Sequence, residues 1–322
     1  MRRPTQAQLV GTLQGCGYAF RAFQSVVEDP CRADDVEWNY KDIVHPHFVH
    51  AHMTRCYSFA DAEGYSCIDV QRLFGFPIAQ SVSTWVSGPK RLTTQTASAL
   101  LIILIEVVFE DVGELRARTT TTYQIGSPSR VLLAAAFPVL RWTLKRNWDK
   151  FYRDDLRLRV RRGELRQQGF DFTPPLGIAS TLKISDNHVV PPAGAGAPEV
   201  TRLDLAHREV RVVQVGPSDH HGLQVVLQPD RLEIYPRLCP HEGACLDTVH
   251  APLNAHIQCP WHGRKFAPIV SLRYAEAPIS VCGPLHRFTL TESELRIEPL
   301  SAADATAAAD WASSPAPLLT LP

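Results

Sequence analysis

The sequence lacks any excess of charge: 33 lysines and arginines stand against 33 aspartates and glutamates in 322 residues. No net field draws such a chain toward nucleic acid or an anionic membrane surface, so small molecules and other proteins are the expected partners. Long apolar runs are also missing. The two most apolar stretches, 97–105 and 131–140, are about half the roughly 20 residues that a spanning helix needs, and both read as buried core segments. The basic start MRRPTQAQLVGTLQG leads into no continuous apolar segment of the signal-peptide kind, so secretion is not expected. There is no internal repeat and no glycine-rich fingerprint for flavin or nicotinamide, so reducing power would have to come from another protein. The eight cysteines are scattered, and the two best placed for chemistry have metal-ligand spacing. That usage suits a reducing compartment better than a disulfide framework, and the expected location is the cytoplasm.

What is present divides into two domains, and an apolar share of 45% lets each bury a core. Residues 1–34 read as a short lead-in helix over LVGTLQGCGYAFRAFQSVV, ended by the Asp29-Pro30 turn signal. Residues 35–170 mix a histidine-rich segment, the β-branched runs SVSTWVSG and RARTTTTYQIG, and a helix from about Ser129 to Gln168. Pro138 marks a kink or start in that helix and Gly169 its stop, and the domain reads as α+β. Residues 171–199, with two PP pairs and GAGAP, have the composition of a linker. Residues 200–300 carry short alternating runs, REVRVVQVG, GLQVVLQ and RLEIYPRL, which predict a small all-β domain. Residues 301–322, rich in Ala and Pro, read as a disordered tail.

The β domain holds the most specific motif, RLCPHEGACLDTVHAPLNAHIQCPWHGRKFAP. Cys239 and His241 form one pair, Cys259 and His262 a second, and each pair fits on one tight loop. Two thiolates and two imidazoles divided in this way match a 2Fe-2S cluster in which cysteines hold one iron and histidines the other. Structural zinc accepts the same four residues, but a zinc finger groups Cys with Cys and His with His. CPHEGACL and CPWHG closely resemble the two cluster-binding boxes of Rieske proteins. Trp261 stands where respiratory-type Rieske proteins have the second cysteine of a disulfide, so the resemblance is to the oxygenase and ferredoxin type. Cys245 and Cys282 are then expected to pack rather than ligate, Cys245 as a small buried residue.

Upstream, EWNYKDIVHPHFVHAH spaces Asn39, Asp42, His45 and His50 in a pattern that resembles a box of Rieske non-haem iron oxygenases. The resemblance implies that His45 and His50 bind a mononuclear Fe(II) and that Asp42 links its neighbourhood to the cluster. His47 and His52 offer alternative ligands, and Asn39 with Asp42 also suits a turn or helix cap. The third ligand implied is a carboxylate from the long helix, where Asp154 and Asp155 are available. Asp155 shares a face with Phe151, Trp148 and Leu144, whereas Asp154 aligns with Lys150 and Asn147. An inward charge is costly unless it binds metal or pairs with a cation such as Arg159. Most arginines of the helix are expected to be solvated.

The resemblance as a whole implies a helix-grip (START-like) catalytic domain followed by a Rieske domain, reversing the family's usual order. It implies an enzyme using dioxygen and an external ferredoxin or flavin reductase to hydroxylate, desaturate or demethylate an apolar small molecule, possible as a homotrimer in which electrons pass between neighbours. Phe48, Val49, Leu101, Ile103, Phe137, Leu144 and Trp148 are candidates for the apolar lining. Two other readings use the same residues: an electron-transfer protein whose front domain binds a ligand without iron, and a structural or sensing cluster in an assembly.

Overall fold

A computed structural model of the chain describes residues 3–43, 45–50, 53–73, 76–97, 100–172, 178, 189–190, 200–206, 209–219, 221–248, 256–283 and 285–300. The chain divides into two compact units, Met1–Gln167 with Pro174–Lys183, and Gln168–Thr173 with Ile184–Pro322.

The first unit runs α1 (Gln6–Gly15), β1 (Ala19–Asp29), α2 (Ala33–Lys41), α3 (Pro46–Val49), β2 (Met53–Ala60), β3 (Gly64–Leu73), β4 (Phe76–Gly88), β5 (Arg91–Ala97), β6 (Ile102–Gly113), β7 (Arg116–Ser127) and α4 (Arg130–Gln167). Its strands form one seven-stranded antiparallel sheet in the order β1-β7-β6-β5-β4-β3-β2. Along β7 burial alternates, with Ala117, Thr119, Thr121, Tyr123 and Ile125 inward, as a β-branched strand covered on one side requires. α4, 38 residues and about 57 Å long at 1.5 Å per residue, packs on β1, β7 and α2. A curved antiparallel sheet closed by one long C-terminal helix is a helix-grip, START-like fold.

Several expectations change here. The lead-in is not a helix through Val27: α1 ends at Gly15, and Ala19–Asp29 is the edge strand β1, paired residue for residue with β7. Hydrogen bonding to a neighbour 88 to 108 residues away overrides the local helical pattern. Gly169, at φ 88°, follows α4 and Pro138 lies within it. The stretch 131–140 is not a buried core segment, because Val131 is 81% and Val139 58% exposed. Most arginines of α4 are exposed, as expected, but Arg159, Arg162 and Arg166 are buried. Of the expected linker, β8 (Asp171–Phe172) and β9 (Val189–Val190) pair with each other, while most of 171–199 and all of 301–322 lie outside the described residues.

The buried half of α4 approaches the backbone closely at Gly163, where an added Cβ would come within 2.0 Å of the Pro30 carbonyl oxygen. Gly163→Ala is therefore expected to destabilise the first unit by about 1–3 kcal/mol despite alanine's better helix propensity, read by chemical denaturation.

The second unit adds β10 (Thr201–Asp204), β11 (Arg211–Val215), β12 (Leu223–Leu227), β13 (Arg231–Pro236), β14 (Ile257–Gln258), β15 (Lys265–Phe266), β16 (Val270–Arg273), β17 (Ile279–Cys282), β18 (His286–Leu290) and β19 (Glu294–Pro299). Two four-stranded sheets, β10-β19-β18-β17 and β11-β12-β13-β16, enclose a core that includes Val225, Leu232, Ile234, Phe288 and Leu295. The hairpin β14-β15 is separate from both and lies next to the Cys-His loops in sequence.

Candidate metal centres

The two Cys-His loops of the second unit share one backbone plan. In the first, the Cys239 N–H donates to the Ala244 carbonyl at 2.8 Å, and the Gly243 N–H donates to the Cys239 carbonyl at 2.9 Å. In the second, Cys259 donates to Arg264 at 2.7 Å, and Gly263 donates to Cys259 at 2.9 Å. Gly243 and Gly263 close the turns at φ 81° and 65°, a left-handed conformation that a side chain would resist. The loops differ in where histidine falls, two residues after the first cysteine and three after the second.

Cys239, His241, Cys259 and His262 are all buried, and the two imidazoles stand 5.1 Å apart between centroids. Burial and the facing Cys259 sulfur push the Cys239 thiol up, while the backbone N–H groups of Glu242 and His241 point at its sulfur. The N–H groups of Trp261 and His262 do the same for Cys259. Such donors favour thiolate, the form that binds iron. Arg237 clamps Asp247 through two hydrogen bonds of 2.7 Å, tying the end of β13 to the segment beyond the first loop. Cys245 is exposed rather than core-packed: Leu238 and Cys245 form an isolated bridge, and the alternation that buries Ala244 turns Cys245 outward. Cys282 is exposed too, and neither forms a disulfide.

In the first unit His45 and His50 flank α3, with Pro46 starting that single turn, and Asp155 comes from the buried face of α4. One ligand atom from each lies within 4.8 Å of the others. Asp155 Oδ1 is 3.3 Å from His45 Nε2 and 3.1 Å from His50 Nε2. His45 Nε2 and Asp155 Oδ1 are nonetheless buried atoms without a hydrogen-bond partner. They face one another off the line of a hydrogen bond, as groups arranged around a third body do. Two imidazoles and a carboxylate on one side fit a ferrous ion with positions left for dioxygen.

The orienting contacts are specific. His45 Nδ1 lies 2.8 Å from the Asp42 carbonyl, which can only accept, so Nδ1 carries the proton and Nε2 is left available to bind a metal. The Nδ1 of His50 stands 3.2 Å from Asp154 Oδ2 and donates to it by the same logic. Thus both helix carboxylates reach His50, Asp155 within the three-ligand group and Asp154 behind it. Burial disfavours a charged His45, but its contacts with Asp155 and Asp42 outweigh that and lift it to about 9 in the metal-free chain. Burial also works against ionised Asp155, yet His45, His50 and Arg159 together hold its carboxyl well below the usual range. The side chain of His47 and all of His52 lie outside the described residues.

Arg159 engages Asp155 Oδ2 at 3.7 Å, so the carboxylate meets both the arginine and the histidines. The same guanidinium donates to Asn39 Oδ1 at 2.9 and 3.2 Å and to Asp29 at 3.3 Å. Asn39 is therefore neither turn nor cap; it lies within α2 facing α4, and Asp42 is that helix's C-terminal cap residue. One turn on, Arg162 stacks 3.9 Å over Trp38 and lies 3.6 Å from Asp35, and Arg166 donates to both oxygens of Asp35 at 2.6 and 3.0 Å. Only the Arg159–Asp155 contact of this network was expected from the sequence, although arginines at 159, 162 and 166 repeat with helical spacing.

His45, His50 and Asp155 open on a cavity of about 440 Å³ between the sheet and α4. Ile103, Leu144 and Trp148 line it as expected, whereas Phe48, Val49, Leu101 and Phe137 do not; Phe48 faces outward and Phe137 packs edge-on to Phe23. Among the described residues, no helix is long and apolar enough to cross a membrane.

Residues 199–282 match the Rieske 2Fe-2S domain family. No curated protein matches the chain. Similar solved structures include a Thermus thermophilus protein (12% identical, covering 44% of this chain and 97% of its own, TM-score 0.37). Others are the Zhui aromatase/cyclase of a Streptomyces species (11% identical, 46% and 96%, TM-score 0.38) and a START superfamily protein of Mycobacterium smegmatis (8% identical, 46% and 98%, TM-score 0.35). The chain thus joins a helix-grip unit to a C-terminal Rieske 2Fe-2S domain, the kind of domain that serves iron-sulfur electron transfer or oxygenase chemistry.

Proposed function

We propose that the chain is a Rieske non-haem iron oxygenase, a mono- or dioxygenase that draws electrons from an external ferredoxin or flavin reductase. With dioxygen it oxidises an apolar small molecule by hydroxylation, desaturation or demethylation. The observation that carries this reading is the convergence of His45, His50 and Asp155, with two buried ligand atoms lacking hydrogen bonds, on a cavity large enough for a substrate. When bound, ferrous iron supplies dioxygen activation and the 2Fe-2S cluster supplies single electrons.

The chain's own residues do the rest. The Asp42 carbonyl and the Asp154 carboxylate fix the imidazoles of His45 and His50 so that Nε2 of each faces Asp155. Arg159 holds the far oxygen of Asp155 and thereby turns Oδ1 toward the histidines. Ile103, Leu144 and Trp148 offer apolar surface that binds substrate and excludes water. Asp42, buried beside His45, is the proposed link to a cluster histidine in the same chain or in a neighbouring copy of a homotrimer.

Metal analysis of the intact chain, together with reductant-dependent dioxygen uptake, tests the proposal. An oxygenase holds about three irons per chain, two in the cluster and one mononuclear. An electron-transfer protein with a ligand-binding front domain, or a sensing cluster, holds only the cluster pair and consumes no dioxygen in step with a substrate.

A further inference from the structure

We propose that the cavity selects apolar molecules carrying one neutral oxygen function, a ketone or a hydroxyl, and that Arg55 reads it. The inference rests on the cavity being the substrate site of the proposed oxygenase and names the class of substrate it takes.

The sheet places a polar row on the cavity wall, apart from the His45, His50 and Asp155 group. Arg55 of β2 lies directly across from Asp69 of β3, and Asp69 directly across from Gln80 of β4. Residues opposite one another in an antiparallel sheet share a face, and all three line the cavity. They are in phase with Tyr65 on β3 and with Val82 and Thr84 on β4, which line it too.

Asp69 is 2% exposed. Arg55 reaches it only at 3.9 Å, beyond hydrogen-bond length, and the buried Nε of Arg55 has no hydrogen-bond partner. A buried donor in this condition is costly, and a ligand oxygen relieves it. Asn39 Nδ2, Tyr40 Oη and Trp148 Nε1 line the same cavity without a hydrogen-bond partner too, but of these four side chains only Arg55 is charged. The charge balance selects the kind of oxygen. Asp69 offsets the charge of Arg55 at close range, and elsewhere on the wall Arg159 and His45 stand against Asp155 and Asp42. Among the described residues of the wall, a carboxylate ligand beside Arg55 thus meets the repulsion of Asp69 with no uncompensated positive charge to offset it. A ketone accepts from the guanidinium without that repulsion, and a hydroxyl also donates to Asp69 or Gln80. Ile103, Leu144 and Trp148 offer an apolar surface for the body of the molecule.

Three bicyclic probes of similar size separate the possibilities: 2-tetralone, tetralin and tetralin-2-carboxylate. They are titrated calorimetrically into the intact chain, without reductant and without dioxygen. The expected result is 2-tetralone binding at least about tenfold more tightly than tetralin, as sites built to hydrogen-bond a ligand oxygen discriminate, and more tightly than the carboxylate. Arg55→Met is expected to bring 2-tetralone to the level of tetralin while leaving tetralin unchanged. Gln80→Leu, which keeps the Arg55–Asp69 pair, is expected to narrow the same gap and serves if Arg55→Met does not fold. Equal affinity for 2-tetralone and tetralin, tighter binding of the carboxylate, no binding of any probe, or an unchanged gap in the folded variants overturns the proposal. The readout needs neither mononuclear iron nor turnover, so a chain with only cluster iron would sink the oxygenase reading and leave this result to stand or fall by itself.

Discussion

Replacing Asp155 by alanine is expected to take the iron content from about three to about two per chain while leaving the visible absorption of the cluster in place. The reason is geometric. Asp155 is the only one of the three proposed ligands from α4; the other two flank α3, and a pair of imidazoles alone makes a weak site. Changes to outer-shell partners already cost roughly 10- to 100-fold in metal affinity, so loss of a direct ligand should exceed that, and substrate-coupled dioxygen uptake should fall below detection. His45→Ala and His50→Ala are expected to behave alike. Asp154→Asn is the contrasting case: it weakens the bond that orients His50 but removes no member of the three-ligand group, so it should reduce affinity without emptying the site. Simultaneous loss of cluster absorption and mononuclear iron in Asp155→Ala would mean that the two centres are not independent, and the proposed division of labour would fail.

The second large effect concerns stability. Asp35 is 1% exposed and accepts from Arg166 through both oxygens, with Arg162 also within ion-pair distance. Removing the carboxylate in Asp35→Ala takes this counter-charge from two buried guanidiniums. Breaking one side of a buried pair costs about 3–5 kcal/mol, which for a unit of this size is on the order of 10 °C in melting temperature. Asp35→Asn, which keeps acceptor capacity but not charge, should fall between. Because Arg159 belongs to the same helix and holds Asp155, the network also fixes the rotation of α4 that presents Asp155 to the histidines. A loss below about 1 kcal/mol in Asp35→Ala would mean that the pair is no more than a surface contact.

Much of this is local chemistry and was legible from the chain. Each cluster loop runs from its cysteine to its closing glycine in five residues, so CPHEG and CPWHG specify both ligands and the turn that presents them. The helix periodicity that put Asp155 with Phe151, Trp148 and Leu144 is likewise short-range, and all four line one cavity. Other features were not local. Ala19–Asp29 is a strand because β7 offers it an edge, and nothing between those residues says so. Arg159 was legible as a partner for Asp155 four residues away, but Arg162 and Arg166 gave no such sign, because their acidic partner Asp35 lies more than 120 residues earlier. Asp69 carried a faint signal, a charge in the inward phase of GYSCIDVQRL, but its meaning depends on Arg55 across the pair and Gln80 beyond.

By itself, then, the order of residues determined the elements whose chemistry closes within a turn or two: the Cys-His loops, the course of the long helix and the spacing of His45 and His50. Only the tertiary structure decided which carboxylate joins which imidazole, which arginines are buried, and what polar row crosses the cavity. Those outcomes depend on strand register and helix rotation, which are set by pairing and packing between distant segments and leave little trace in any short stretch of chain.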